Sequence, residues 1–311
     1  MCQLAAPPSA DPVDLLLYDL HGMESRLTSL TVKRRRDRIV APVVKRIATD
    51  LSYVFNHEAE RVMDLLGQAK LPYKPGQSSE AAVGNAEALM RLILNGQDVN
   101  QYQAVLEDGY RTVMPGAMDM TLRQTLDAAG IKYRVGPLGD LFMLNGMKLT
   151  RFHGAEQWIR DNAIQFSRRW APKVTAVTNK RIRATLADGM ANFEDMTALR
   201  GRVRKVYAAA KAVRSEMIAR SETSRAYNKA TVETGTRLGL RKYWISSGSP
   251  YAAVDVCGEN ADMGTVAMSE WFRDLDGNAI DGPPAHVNCA CSLGLDVPDD
   301  YEVSSEFVEE G

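Results

Sequence analysis

"RSEMIARSETSRAYNKATVETGTRLGLRKYWISS" (residues 214–247) is the stretch where the chain changes its grammar. The first part reads as one long helix, and Gly239 supplies its stop. Directly after it, "RKYWISS" (241–247) has the composition of a strand. Helical patterning dominates upstream of this point, and short strands with turns dominate downstream. The fold class expected is mainly α with a small α+β C-terminal domain: long helices followed by a short antiparallel β cap.

Working upstream, residues 12–70 read as helical, with Val43, Val44, Ile47, Leu51, Val54 and Phe55 at near-helical spacing. "LPYKPGQSSEA" (71–81) reads as a loop. Helices are expected at 82–94, 98–109 and 118–129, and a small hairpin at 131–150. From 155 to 238 the pattern is helical again, with a break expected at Ala171 and Pro172 and a stop at Asp188 and Gly189. Asn192 is the expected cap of the next helix, with Asp195 in its first turn. Downstream, "GTVAMSEWF" (264–272) reads as a strand and "DLDGNAIDGPP" (274–284) as turns. In "CACSLGLDV" (289–297) a strand places Cys289, Cys291, Leu293 and Leu295 on one face. Four regions follow: a helical N-terminal region at 1–150 with no family to match it, a basic helical region at 151–240, a β-rich cap at 241–298 and an acidic tail at 299–311.

The apolar content of 45% and charged content of 25% are those of an ordinary folded, soluble chain. No apolar run approaches the roughly 20 residues that span a bilayer, and the first residues lack a signal-peptide pattern. Four cysteines make no disulfide framework, so a reducing cytoplasm is the expected folding compartment. The net charge of -1 hides a strong asymmetry. "VKRRRDRIVAPVVKR" (32–46) holds seven basic residues and one acidic, and 165–229 holds fifteen against five. The tail from Asp296 carries seven acids and no base, and is expected to stay mobile or to compete for the basic regions.

Three of the four cysteines and one of the four histidines fall between residues 257 and 291. Cys257, His286, Cys289 and Cys291 make Cys-x28-His-x2-Cys-x-Cys, the ligand number of a closed tetrahedral zinc site. The rival is a set of reduced thiols buried in a small β cap, which the shared face with Leu293 and Leu295 favours. A Cys–His catalytic pair lacks a third, orienting group. Asp255, Glu259, Asp262, Asp274 and Asp276 offer carboxylates for a divalent ion, although such loops are more often turns. On the long helix, Arg220, Ser224 and Tyr227 form a stripe with Asn228 at its edge, either a seam that docks the cap or a solvated face. Lys33, Arg34, Arg35 and Arg36, with Arg168, Arg169, Lys180, Arg181 and Arg183, are candidates for contact with phosphates or an acidic protein surface; the alternative is plain solvation.

Two stretches carry a resemblance. "EMIARSETSRAYNKA" (216–230) is similar to Ile-Ala-Arg-Thr-Glu-Thr-x-Arg-Ala-x-Asn, matched at Arg220, Glu222, Thr223, Arg225 and Asn228. "PPAHVNCAC" (283–291) is similar to Pro-Pro-x-His-Pro-Asn-Cys-x-Cys, with Val287 in place of the second motif's third proline. In this order and spacing, residues 165–297 resemble the phage head morphogenesis, or minor head, proteins of the phage Mu F-like type. The resemblance implies a non-enzymatic protein bound to the portal inside the procapsid, near the portal vertex of the virion, after assembly in the host cytoplasm. Its implied partners are the portal, scaffolding or major capsid protein and viral DNA, with no membrane and no small-molecule substrate. The rivals are a metal-dependent nuclease or toxin-like enzyme built on His286 and the acidic loop, and a sequence-independent DNA-binding factor.

Overall fold

The computed structural model describes residues 12–68, 88–91, 93–94, 99–135, 141–143, 148–192, 194–247, 255–298 and 301–309. The expected loop at 71–81 lies outside them. Helix α1 (Pro12–Gln68) buries Val40, Val43, Ile47, Leu51, Val54 and Phe55. These recur every three or four residues, so they form one apolar stripe. Helix α2 (Val99–Ala128) answers with Tyr102, Leu106, Tyr110, Val113 and Ala117, and α3 (Ala155–Ala191) with Ile159, Ala163, Ala171, Val174, Ile182 and Leu186. Helix α4 (Met196–Ala209) passes through a π-helical turn, Ala210–Arg214, into α5 (Ser215–Arg237). α1, α2 and α5 pack on one another, and α3 lies against α2. No helix among the described residues is long and apolar enough to cross a membrane.

Mainly α with a small antiparallel C-terminal part is the class expected, and this is the fold observed. Several local expectations fail. α3 runs unbroken through Pro172, and the helices expected at 98–109 and 118–129 are one helix that contains Pro115. An interior proline costs about 3 kcal/mol. Burying one large apolar side chain returns about 1.5–3 kcal/mol, and each helix buries several, Val113, Met114 and Met118 beside Pro115 and Ile159, Val174, Ile182 and Leu186 along the helix of Pro172. Packing therefore outweighs the lost hydrogen bond. The caps are also exchanged: Asn192 closes α3, its amide donating to the Asp188 carbonyl, and Asp195 opens α4 by accepting from the Ala198 amide at 2.8 Å.

The expected hairpin is present as β1 (Tyr133–Val135), β2 (Leu141–Met143) and β3 (Lys148–Leu149). In the cap, β4 (Arg241–Ile245) is the central strand, flanked by β5 (Val266–Ala267) and β8 (Ser292–Asp296). The strand expected over 264–272 is shorter: the chain turns after Ala267 and resumes as β6 (Phe272–Arg273), which pairs with β7 (Ala279–Ile280). Asp255–Asp262, expected as a loop, is helix α6. The tail expected to be mobile is anchored over residues 301–309: β9 (Val308–Glu309) pairs with β3, Phe307 is fully buried against Phe152, and Glu306 meets Arg237. One apolar ring decides the fate of an acidic segment.

A single core runs from Val40 to Phe307, so the sequence boundary at 150 falls inside it. The cap has a second, smaller core of Trp244, Phe272, Leu293, Val256, Val232 and the three cysteines 257, 289 and 291. α1 reaches this cap through Arg36, which is only 7% exposed. Its guanidinium donates to the Cys291 carbonyl at 2.7 Å, the Ser292 hydroxyl at 2.6 Å and the Ala290 carbonyl at 3.3 Å. Hydrogen bonds from a charged donor contribute about 1.5–3 kcal/mol. Arg36→Ala is accordingly expected to lower the urea-unfolding free energy by roughly 2–3 kcal/mol, while Arg34→Ala, at an exposed neighbouring position, changes it by less than about 0.5 kcal/mol. Equal effects of the two substitutions contradict the strut.

Candidate docking seam and thiol–histidine cluster

α5 is buried round most of its circumference although its residues are largely small or polar. Ala219, Ala226 and Ala230 let neighbours approach closely, and the polar side chains look for partners in the cap. The cap supplies them from the turn 281–291. The Asn228 amide donates to the Pro283 carbonyl at 3.0 Å, and Arg220 donates to the Asn288 side-chain oxygen at 2.9 Å. The Asn288 amide donates to the Ser221 hydroxyl at 3.0 Å. Lys229 pairs with Asp281 at 2.6 Å.

The Pro283-Pro284 peptide is cis, and Asn288 sits at φ 63, a region that asparagine tolerates better than most residues. The Cys289 amide then returns to the His286 carbonyl at 3.3 Å. Beneath the turn, fully buried Lys242 donates from Nζ to the carbonyls of Met268 (3.0 Å) and Asp281 (2.9 Å). Burial pulls its pKa down to about 8, with Asp281 opposing the shift and Lys229 adding to it.

Of the predicted seam, Arg220 and Asn228 reach the cap. Ser224 serves Asn228 within the helix, accepting through both its carbonyl and its hydroxyl. Tyr227 is buried, which raises its pKa, while the charge of Arg36 opposes that rise. Ser221, Lys229, Lys242 and Arg36 are contacts that the stripe did not name. Ser221 lies within an arc of about 100° that also holds Arg220, Ser224 and Asn228, so a wider stripe includes it. Nothing in helical periodicity singles out Lys229, and Lys242 reads as an ordinary strand lysine.

The ligand atoms of Cys257, His286 and Cys289 lie within 4.8 Å of one another. Cys257 comes from α6 and the other two from the turn. The two thiols are 4.0 Å apart and unbonded as a disulfide. With metal–thiolate bonds of about 2.3 Å, a tetrahedral site places two sulfurs about 3.8 Å apart. His286 Nδ1 lies 2.9 Å from the Val287 carbonyl. A carbonyl can only accept, so Nδ1 carries the proton and Nε2 keeps its lone pair. That Nε2 is buried without a hydrogen-bond partner among the described residues. This Cys2His set fits a metal ion. Cys291 stands outside it but adjoins both thiols, and the neighbouring Cys289 thiol lowers its pKa against the opposing effect of burial. Burial raises that of Cys257.

The acidic loop forms no such group among the described residues. Asp274 spends its carboxylate on the β6–β7 turn, accepting from the amides of Asp276 and Asn278. Glu259, Asp262 and Asp276 are exposed, and the Asp255 side chain lies outside the described residues. The basic candidates divide. Arg36 is a correction: it is buried in the α1–cap joint because three acceptors there need a donor. Arg35 pairs with Asp127 at 2.9 Å. Lys33 is half-buried and Arg34 exposed. Arg168, Arg169, Lys180, Arg181 and Arg183 are exposed on α3, with no ion pair among the described residues.

No protein-family model matches the chain, and no curated protein or solved structure matches it.

Removing the Asn228 amide by Asn228→Ala leaves a buried carbonyl unpaired and is expected to cost about 1–3 kcal/mol in denaturant unfolding. Lys242 gives a pH signature. Its folded pKa of about 8 lies below its ordinary 10.5, so between these values the unfolded chain binds the proton more tightly. Wild type should therefore gain stability relative to Lys242→Met as pH rises from 8 towards 10.5. Parallel melting curves across that window contradict the assignment.

Proposed function

We propose that the chain is a phage head morphogenesis protein of the phage Mu F-like kind. In this reading it is held at the portal inside the procapsid, near the portal vertex, and acts in head assembly and in DNA packaging or ejection. It has no catalytic role and no small-molecule substrate. The observation that carries the reading is the closure of 216–230 on 283–291. These are the two stretches that resemble the family, and they bond to one another through Arg220 and Asn288, Ser221 and Asn288, and Asn228 and Pro283. Their polar groups are engaged in joining helix to turn, which suits a rigid docking module.

The metal that suits the cluster is zinc in a structural role. Cys257, His286 and Cys289 hold it, and Cys291 is the nearest further thiol for a closed site. Such an ion ties α6 to the turn and contributes directly to the stability of the cap. A second reading, sequence-independent DNA binding, is favoured by Arg168, Arg169, Lys180, Arg181 and Arg183, exposed on α3 and without an ion pair among the described residues. It is compatible with a place beside packaged genome.

The full-length chain, co-expressed with the portal protein of the same genome, is expected to co-sediment with the portal ring. Free sedimentation of the chain contradicts the reading. Plasmid nicking that requires a divalent ion and disappears in His286→Ala supports the nuclease instead. Metal analysis is expected to return about one zinc per chain, lost in Cys257→Ser together with thermal stability. A metal-free chain whose melting is unmoved by a chelator contradicts the zinc assignment.

A further inference from the structure

Between α3, α5 and the rim of the cap turn runs a groove of about 310 Å³. Trp170, Val174, Val177 and Arg181 recur on α3 at steps of three and four, so they form one wall. Met217 and Ile218 of α5 form the floor, and Val287 stands at the rim. Val177 is 44% exposed and Val287 65%, so two branched apolar side chains face solvent across one concavity. Isolated exposed apolar residues need no explanation, but a concave set rimmed by charge does.

The charge is one-sided. Lys173, Arg181 and Arg214 line the groove, and none makes an ion pair among the described residues. Among the described residues Arg214 donates to neutral acceptors, the Thr178 hydroxyl at 2.7 Å and the Val174 carbonyl at 3.3 Å. Glu222 is the one carboxylate among the lining residues, and it is consumed by Arg225 at 2.6 Å and Tyr110 at 2.7 Å. What is left is an apolar floor with an excess of positive charge.

We propose that this groove binds an acidic amphipathic helix of a protein partner, its apolar face against Val177, Met217 and Val287 and its carboxylates against Lys173 and Arg181. From Trp170 to Arg181 the wall measures about 16 Å, three helical turns. Single-stranded nucleic acid fits less well. Stacking needs a free aromatic face. Here Lys173 Nζ lies 3.8 Å from the Trp170 ring centroid and the Arg225 guanidinium 3.9 Å, so the ring is already engaged by two cations. A phosphodiester chain also leaves the apolar floor unmatched. The inference rests on the assembly reading only for which partner carries the helix.

Fluorescence anisotropy tests it on the full chain. The probe is a labelled peptide of about 14 residues with leucine at i, i+3, i+4 and i+7 and glutamate elsewhere. The controls are a scrambled peptide of the same composition and a duplex DNA of about 20 base pairs. Saturable binding of the patterned peptide, weakened about tenfold or more by Arg181→Glu and by Val177→Asp with melting unchanged, is the expected result. Equal binding of the scrambled peptide, indifference to both substitutions, or displacement by the duplex overturns it. If the peptide fails while portal association persists, the groove assignment alone falls. If the peptide binds and the portal does not, the head-assembly reading falls instead.

Discussion

A helix buried on nearly every side but built from serine, threonine, asparagine and alanine is the constraint on which the rest of the structure depends. Apolar helices can be buried anywhere they fit; α5 can be buried only where neighbours supply hydrogen-bond partners. Glu222 shows how strict this is. Its buried carboxylate accepts from Tyr110 of α2 at 2.7 Å and from Arg225 at 2.6 Å. Burial, and then the carboxylate, drive the Tyr110 pKa well up, so the phenol stays protonated and keeps donating. On another face the turn 281–291 does the same for Ser221, Arg220, Asn228 and Lys229. Thr223, Thr234 and the Asn228 side-chain oxygen find no hydrogen-bond partner among the described residues, a local cost that the surrounding packing offsets.

This helix divides two cores and joins them. The large helical core lies on one side and the thiol-bearing core of the cap on the other, with Val232 of α5 contributing to the latter. Arg36 makes a second joint by reaching from α1 to the backbone on either side of Cys291. The cysteine-bearing segment ahead of β8 is therefore held at three points: by α5 through the turn, by α1 through a guanidinium, and by β4 through the ladder that follows it, from Arg241 to Ile245. The metal proposed at Cys257, His286 and Cys289 would add a fourth by tying in α6. The outer rim of the same turn, with Val287, borders the groove assigned to a partner, so the hold on the cap also shapes that groove.

The sequence was legible where one interaction dominates locally. Gly239 ends the helix at φ 67, and "RKYWISS" becomes β4. The spacing grouped Cys257, His286, Cys289 and Cys291, of which the first three come together, and a seam toward the cap was one of two readings of the Arg220 stripe, with Asn288 and Pro283 not foreseen as its partners. Reading failed where a distant contact overrides a local signal. Pro115 and Pro172 look like breaks because the packing that carries α2 and α3 through them is contributed by other helices. Phe307 anchors a tail whose composition is that of a solvated segment. Arg36 sits in a run of cations and differs from its neighbours only in facing three acceptors more than 250 residues away.

Native-state hydrogen exchange on the full-length chain tests the central claim most directly. If the turn is part of one module with α5, the amides of Asn288 and Cys289 should open with the same free energy as those of 219–230, because the seam must break for either to exchange. Exchange of the two turn amides at low free energy, while the helix stays protected, would show that the cap rides on the helix without being held by it.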